Sequence, residues 1–460
     1  MAGYTKRRPS PRLLFHTKKE RDFGIGADFA AAFPTFPARH ITRITTSNAM
    51  GNASGSFGIS LVYWKMNPDD VQPYYYEKIK PLDLVEIELE PGITTMMGIV
   101  DKVSKSTTIG PKNVNQSVEI TGRSLGAIWE FDLIKYFTNA LGLSPSMQER
   151  NLFLQQGEEL FEFMGQPPYD AVKAIFEHLP MFDMEVFGRK TVSEFLDVGS
   201  ELFCRKDEKI FARGISPYSG RVWDYYKTYI QEPFNELWTD SKDGKLFIRC
   251  RPTPFSHGDH DPEESVNPLG ETRKSSWHDI KNWIDGKPHH VIWPEVIRDE
   301  KLSVDHASGY SVFTVVSSDK FTGADSEYST FHPLVDSPLV EEIGTRDRQI
   351  ALNYIPLVGD GETNDSSLER YEYYRNKLYL WNRDNHRMES GTMTIRGNSN
   401  IRVGDKVHRH FLDTDFYVTA VMNTWAFGQP YVTQISVDRG LRRDIRNDLY
   451  KAGMDFLKGI

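Results

Sequence analysis

The chain has 460 residues, with 55 Lys and Arg against 64 Asp and Glu, a net charge of −9, two cysteines and a mean hydropathy of −0.50. At roughly 150 residues per domain this allows two to four domains with a real core and no need of disulfide or metal staples. The acidic balance argues against non-specific nucleic-acid binding, Cys204 and Cys250 are too few for a disulfide framework or cysteine-rich zinc site and suit a reducing compartment, and no apolar run approaches the ~20 residues of a membrane helix.

Residues 1–40 read as an extended basic arm. Lys6, Arg7, Arg8, Arg12, Lys18 and Lys19 against Glu20 give +5 over about twenty residues, suited to lying along an acidic neighbour. No apolar stretch follows the first charges, so no secretory signal is expected. Residues 41–126 alternate as strands do: Phe57, Ile59, Leu61 and Tyr63 fall on one face, and Val85, Ile87 and Leu89 oppose Glu86, Glu88 and Glu90. Ile99 to Val103 and Val118 to Arg123 continue the pattern. Helical spacing then appears at Ser124 to Leu141, through Leu125, Ile128, Trp129, Leu133, Tyr136 and Phe137. Tyr169 to Leu179, with His178 near its end, Thr191 to Cys204 and Ser276 to Ile284 are also predicted helical, whereas Lys245 to Cys250 and Ser311 to Val316 read as strands. Thr253 to Ser275, with three prolines, and Ile355 to Ser367 read as loops. Leu368, Tyr371, Tyr374, Leu378 and Trp381 predict a helix, further strands follow, and Leu441, Ile445, Leu449, Ala452 and Phe456 predict a terminal amphipathic helix.

Two distant regions echo each other. Ile79-Lys80-Pro81-Leu82-Asp83-Leu84-Val85 is matched by Ile401-Arg402-Val403-Gly404-Asp405-Lys406-Val407. Downstream, Ile99 to Val103 and Val118 to Arg123 are followed in the same order by Tyr417 to Val421 and Ile435 to Gly440. Upstream, Ser56 to Leu61 has its counterpart in Gly391 to Arg396. Ordered matches at comparable spacing indicate a duplication, and short strands between turns favour small closed barrels. The expected fold is therefore α+β, mainly β. Its organisation is an arm (1–40), a first β-barrel (41–126), a mixed α+β insert (127–345), a helix with a second barrel (346–440) and a terminal helix (441–460).

Catalytic, cofactor-binding and metal residues are not assigned. His257-Gly258-Asp259-His260-Asp261 holds ligand-type residues without the one-turn helical spacing of a zinc protease, and reads as a solvated loop. His408 and His410 would share a strand face, but two ligands do not complete a site. His289-His290 beside Pro288 reads as loop. Gly24-Ile25-Gly26 lacks the third glycine and preceding strand of a dinucleotide fold, and no nucleophile elbow or phosphate loop occurs. Glu158-Glu159 and Glu341-Glu342 are ordinary surface pairs, and glycosidase chemistry needs carboxylates held across a cleft. Trp277, Trp283 and Trp293 offer stacking surfaces but read as core or interface.

The duplicated segments resemble those of baseplate hub proteins of contractile phage tails and related injection machines, the Mu-type hub and late-control protein D group. The carrying residues are Phe57 to Leu61, Pro81 to Ile87, Met97 to Val103 and Val118 to Ser124, then Gly391 to Gly397, Ile401 to Val407, Phe416 to Val421 and Ile435 to Gly440. Leu82 departs from the pattern, which has glycine there. The resemblance implies a structural, non-enzymatic late protein of the virion baseplate, assembled in the host cytoplasm. It implies a homotrimer whose paired barrels present six similar units to a hexameric tail tube protein and a threefold face to a central spike protein. Other baseplate proteins, wedge or tape measure, would be further partners, and DNA would pass on ejection without specific binding. Neither cofactor nor membrane insertion is implied. A tail-associated peptidoglycan hydrolase with its site in the insert, or a carbohydrate-binding tail-tip module using the insert's tryptophans, would be the alternatives.

Overall fold

The computed structural model describes residues 9–18, 22–26, 34–62, 75–109, 114–131, 133–135, 169–170, 173, 185–186, 190–205, 219–230, 233–253, 265–266, 288–317, 333–352 and 364–459. The chain is mainly β. The N-terminal half supplies β1 (Arg12–His16), β2 (Phe23–Ile25), β3 (Thr35–Phe36), β4 (Ile41–Ala49), β5 (Ser56–Val62), β6 (Leu84–Glu90), β7 (Ile93–Ile109) and β8 (Val114–Ser124). After helix α1 (Val222–Tyr229) come β9 (Asn235–Lys242), β10 (Lys245–Pro252), β11 (His290–Ile292), β12 (Ile297–Val304) and β13 (Val312–Ser317). Helix α2 (Ser337–Ile343), β14 (Asp347–Leu352) and helix α3 (Asn364–Asn382) lead into β15 (Glu389–Arg396), β16 (Lys406–Arg409), β17 (Thr414–Ala426), β18 (Val432–Arg442) and helix α4 (Arg443–Lys458).

One hydrogen-bonded path runs β12-β15-β18-β17-β4-β5-β8-β7-β6-β1-β2-β3, with β16 on the remaining part of β17 and β11 on β16. The two halves repeat one order: β4-β5-β8-β7-β6 and β12-β15-β18-β17-β16. They also repeat their irregularities. Register slips lie between Ile41/Arg43 and Ile297/Asp299, and between Val100/Lys102 and Val418/Ala420. Bulges are position-specific features, so their recurrence supports the duplication beyond shared topology.

The echoed turn is the same in both halves. The Lys80 N–H donates to Asp83 Oδ2 at 2.8 Å, and the Arg402 N–H to Asp405 Oδ2 at 2.8 Å. Leu82 N–H donates to Val100 O at 2.7 Å, and Gly404 N–H to Val418 O at 2.8 Å. The price of this identity falls on Leu82, which adopts φ +72 where Gly404 sits at +85. A left-handed leucine is strained by its Cβ, by roughly 1–2 kcal/mol. Leu82→Gly removes that strain but loosens the unfolded chain, so a net gain of about 0.5–1 kcal/mol is expected. Urea unfolding checks it: the midpoint should rise with the slope unchanged.

Each half has its own core. Leu13, Phe15, Phe23, Ile59, Ile87 and Ile120 fill the first, and Met393, Ile395, Val407, Phe416 and Ile435 the second. Apolar alternation explains this placement: in β5, Phe57, Ile59 and Leu61 are buried while Ser56 is exposed. Trp129, Trp223, Tyr226, Leu237 and Ile248 make a third core beneath the first half. A fourth joins β13, α3 and α4 through Phe313, Tyr374, Leu378, Tyr379 and Phe456.

Several expectations change. Among the described residues no ladder closes either half into a barrel, and β4, which would seal the first, pairs instead with β17. The basic arm contains β1 and β2, because Leu13 and Phe15 alternate into the core and β1 pairs with β6. Of the helix predicted at Ser124 to Leu141, a 3-10 turn (Leu125–Ala127) and a single α turn (Ile128–Phe131) are present, followed by a short strand at Leu133–Lys135. Thr191 to Cys204 is a 3-10 turn and short strands whose Val192, Phe195 and Leu196 are buried without a full helix. The second half also draws β11 and β12 from residues expected in the insert. The strands at Lys245–Pro252 and Val312–Ser317, the helix before the second half and the terminal helix lie where expected.

Candidate assembly surface

The feature that distinguishes this fold is a seam inside the chain. The C-terminal part of β17 pairs antiparallel with β4, Ala420 opposite Ala49, Met422 opposite Ser47 and Trp425 opposite Ile44. The seam makes one sheet of two repeats. At the positions equivalent to β4 and to the C-terminal part of β17 it also leaves edges without a described strand partner: β12, and the part of β7 beyond its pairing with β6, which ends at Ile99. Both edges are accessible. Asp101, Lys102, Lys105, Ser106 and Thr107 are exposed, as are Asp299, Lys301, Ser303 and Val304.

The face of the sheet opposite the cores is small and hydroxyl-rich. Ser47, Ser60, Ser104, Thr392, Thr424 and Ser436 alternate with the buried positions of their strands. Among its carboxylates, Glu119 accepts hydrogen bonds from Ser60 Oγ at 2.6 Å and Ser117 Oγ at 3.0 Å.

The β9–β10 hairpin clamps the two halves. Toward the first, Asn48 Nδ2 donates to Thr239 O at 2.7 Å, Thr239 Oγ1 to Ala53 O at 2.8 Å, and the Met97 N–H to Ser241 Oγ at 3.0 Å. Toward the second, Arg251 Nη2 donates to Gly404 O at 3.0 Å, and the Tyr417 hydroxyl lies 2.7 and 2.8 Å from the Glu236 oxygens. Burial raises the Glu236 carboxyl, with Arg251 at 3.1 Å working against the shift, and burial also pushes the Tyr417 hydroxyl up. Arg402 crosses between the halves, donating to Thr94 O at 2.8 Å.

A second lock ties α4 to the sheet. Asp415 is fully buried, with His408 Nδ1 at 2.8 Å, Arg443 Nε at 3.0 Å, Lys406 Nζ at 3.2 Å and Arg446 Nη1 at 3.5 Å. Burial would raise the Asp415 carboxyl, but the Arg443 hydrogen bond and the Lys406 charge overcome it and hold it below the usual carboxylate range. Burial pulls Lys406 and Arg446 down, against the attraction of Asp415.

The histidines serve these same locks. His408 belongs to the Asp415 cluster, and His410 has left the strand and packs on Trp293, ring centroids 3.9 Å apart. His289 and His290 are not a free loop: His290 begins β11 with Nε2 3.1 Å from Asp405 Oδ2, and His289 Nδ1 accepts the Lys406 N–H at 2.8 Å. Gly24 and Ile25 lie in β2. Glu342 bonds Arg387 at 2.5 Å. No group of three His, Cys, Asp or Glu among the described residues is arranged to hold a metal. His257 to Asp261, His178, Glu158-Glu159, Trp277 and Trp283 lie outside the described residues. Asp415 and the β17–β4 seam were missed from sequence; an acid directly preceding the apolar run Phe416-Tyr417-Val418 is the signal that would have found the first.

No protein-family description matches the sequence, and no curated protein does either. Among solved structures, the tail protein from Neisseria meningitidis MC58 shares 12% identity over 93% of this chain and 96% of its own, with a TM-score of 0.51. The 43 kDa tail protein of prophage MuSo2 from Shewanella oneidensis shares 12% over 94% and 99%, at 0.49. A type VI secretion system component of E. coli shares 8% over 88% and 74%, at 0.42. The fold is that of the Neisseria tail protein, and the expected resemblance to tail proteins holds at the level of fold.

Proposed function

We propose that this chain is a structural baseplate hub of a phage tail, a homotrimeric adaptor between the hexameric tail tube and the central spike. The observation that carries this reading is the internal seam: two repeats with one strand order and shared bulges, fused edge to edge, each repeat keeping a complementary edge without a strand partner among the described residues. A head-to-tail pair of edges closes into a ring when the rotation allows it. Three chains then present six similar tube-like units, centred on residues 41–126 and on residues 346–440 with β11 and β12. Residues 127–345 otherwise form the insert. Tube protein meets the sixfold side, while the spike protein and the wedge or tape-measure proteins of the baseplate meet the rest. The protein's place is the virion tail, without enzymatic activity or membrane insertion; no described helix is long and apolar enough to cross a membrane.

In such a ring the hydroxyl-rich face lines the path of DNA. Arg43, Lys102 and Lys301 share that face with Glu119, Asp299 and Asp438, which keeps it near neutral. A polyanion held by few fixed cations releases few counterions and slides. The acid excess of the whole chain is thus not what spares the DNA.

Electron microscopy of the assembled full-length protein tests the reading. Three copies around a channel, with six similar β units, are expected; a twofold dimer or an open fibre overturns it. Clearing of peptidoglycan in a zymogram by the purified chain would overturn the non-enzymatic part.

A further inference from the structure

The internal seam predicts the chemistry of the seam between copies, an inference that rests on the ring reading and deepens it. Equivalent ladders fix the correspondence. Ala420 and Lys102 both follow the bulge and sit opposite Ser436 and Thr121, the same position in each half. Ser47 pairs with Ser56 in β5, and Ser303 with Ser390 in β15, one residue before Phe57 and Gly391, which are themselves equivalent. Carrying the β17–β4 register across places β7 of one copy antiparallel to β12 of the next. Ser104 then faces Ser303, as Met422 faces Ser47 within the chain. Lys102 faces Asp305, Val103 faces Val304, Ser106 faces Lys301 and Thr107 faces Glu300.

We infer that these edges form one antiparallel intersubunit seam in this register, and that, unlike the seam inside the chain, it is held by charge. At the positions where the internal seam has Ala420 opposite Ala49, the intersubunit seam has Lys102 opposite Asp305. Glu300, which bonds Arg409 within the chain, lies diagonal to Lys105, within the span of cross-strand neighbours. Val304, 47% exposed on the edge, gains Val103 as its cover. The same charges keep the isolated edges from pairing promiscuously, since a bare edge otherwise templates aggregation. The partner is therefore a second copy of this chain, and ionic strength regulates its capture. Opposite charges exposed to solvent are screened beyond about 8 Å at physiological salt and about 3 Å at 1 M.

The test uses the full chain. A Ser104→Cys, Ser303→Cys double variant should form disulfide-linked oligomers on mild oxidation, while each single variant should not. A pair displaced by two residues, Ser104→Cys with Lys301→Cys, should link at least tenfold less. Ser47→Cys with Met422→Cys should close within one chain and reports that the fold and internal register are intact. By mass photometry the oligomer should dissociate at least tenfold more readily at 1 M than at 0.05 M NaCl. Lys102→Asp should weaken it at least tenfold, and Lys102→Asp with Asp305→Lys should restore it. An oligomer that links through the displaced pair, or ignores Lys102→Asp, overturns the seam and leaves the ring reading standing. A chain that closes its internal disulfide yet stays monomeric at all salt concentrations overturns both.

Discussion

Asp415→Asn is expected to cost about 3–5 kcal/mol, the range for removing one member of a buried ionic cluster. The substitution keeps the shape and removes the charge. It leaves Lys406, Arg443 and Arg446 facing each other around a neutral amide, with Lys406 and Arg446 buried. Because Arg446 also donates to Asp415 O and Leu441 O, and these lie where β17 and β18 meet the start of α4, the loss falls on the docking of that helix. The sign of the pH dependence follows from the direction of the shift. The folded carboxyl lies below its unfolded value of about 3.9, so its contribution is complete above that value and is lost as pH falls through the folded pKa. Urea unfolding of both proteins should therefore give a gap of several kcal/mol at pH 7 that narrows steadily below pH 4. An equal gap at pH 7 and pH 3 would show that Asp415 acts by shape and not charge.

Gly404→Leu should cost about 3 kcal/mol, the mirror image of the gain expected at Leu82. Two effects add. The left-handed conformation costs a side chain roughly 1–2 kcal/mol, and overpacking a buried site typically costs 1–3 kcal/mol. A Cβ at 404 would lie 3.0 Å from Arg251 Nη2 and 3.2 Å from Trp238 Cζ2. Neither neighbour yields easily: Arg251 is held by Glu236 and by the 404 carbonyl, and its guanidinium packs over the Trp238 ring at 5.1 Å. Leu82 escapes the second effect because it is 38% exposed. One turn thus accepts leucine at a modest cost in one half and resists it in the other. Thermal unfolding of the two reciprocal variants should move in opposite directions, with the larger change at 404.

Much of this was legible in the sequence, and the failures have physical causes. The repeat could be read because strand alternation and the Asp-bearing turn are local; Asp83 and Asp405 make the same bond three residues back. Its alignment was less legible. The motif at Val118 pairs by eye with Ile435, yet the ladders make Ile120 the equivalent of Ile435. A shift of two preserves faces, so periodicity cannot detect it. The seam was invisible for a different reason. In β4 the bulge at Thr42 breaks the alternation between Ile41 and Ile44, and in β12 the exposed run Arg298-Asp299 hides the strand behind charge. Apolar spacing also misled where residues are buried by short turns, as at Val192, Phe195 and Leu196. The histidines illustrate the limit of motif reading: 289, 290 and 408 came together through Asp405 and Asp415, acids that no spacing rule connects to them.

The fusion of two repeats through β17 and β4 has a kinetic meaning for a ring of three such chains. Covalent linkage makes the meeting of these two edges intramolecular, so half of the junctions of the proposed ring would form whenever the chain folds, however dilute it is. The other half wait for an encounter. Such an assembly comes apart into whole chains, never into single repeats, and its two kinds of junction are free to diverge. In the proposed ring, substitutions between Ala420 and Ala49 would be felt as folding defects, while those at Lys102 or Asp305 would change when and where chains assemble.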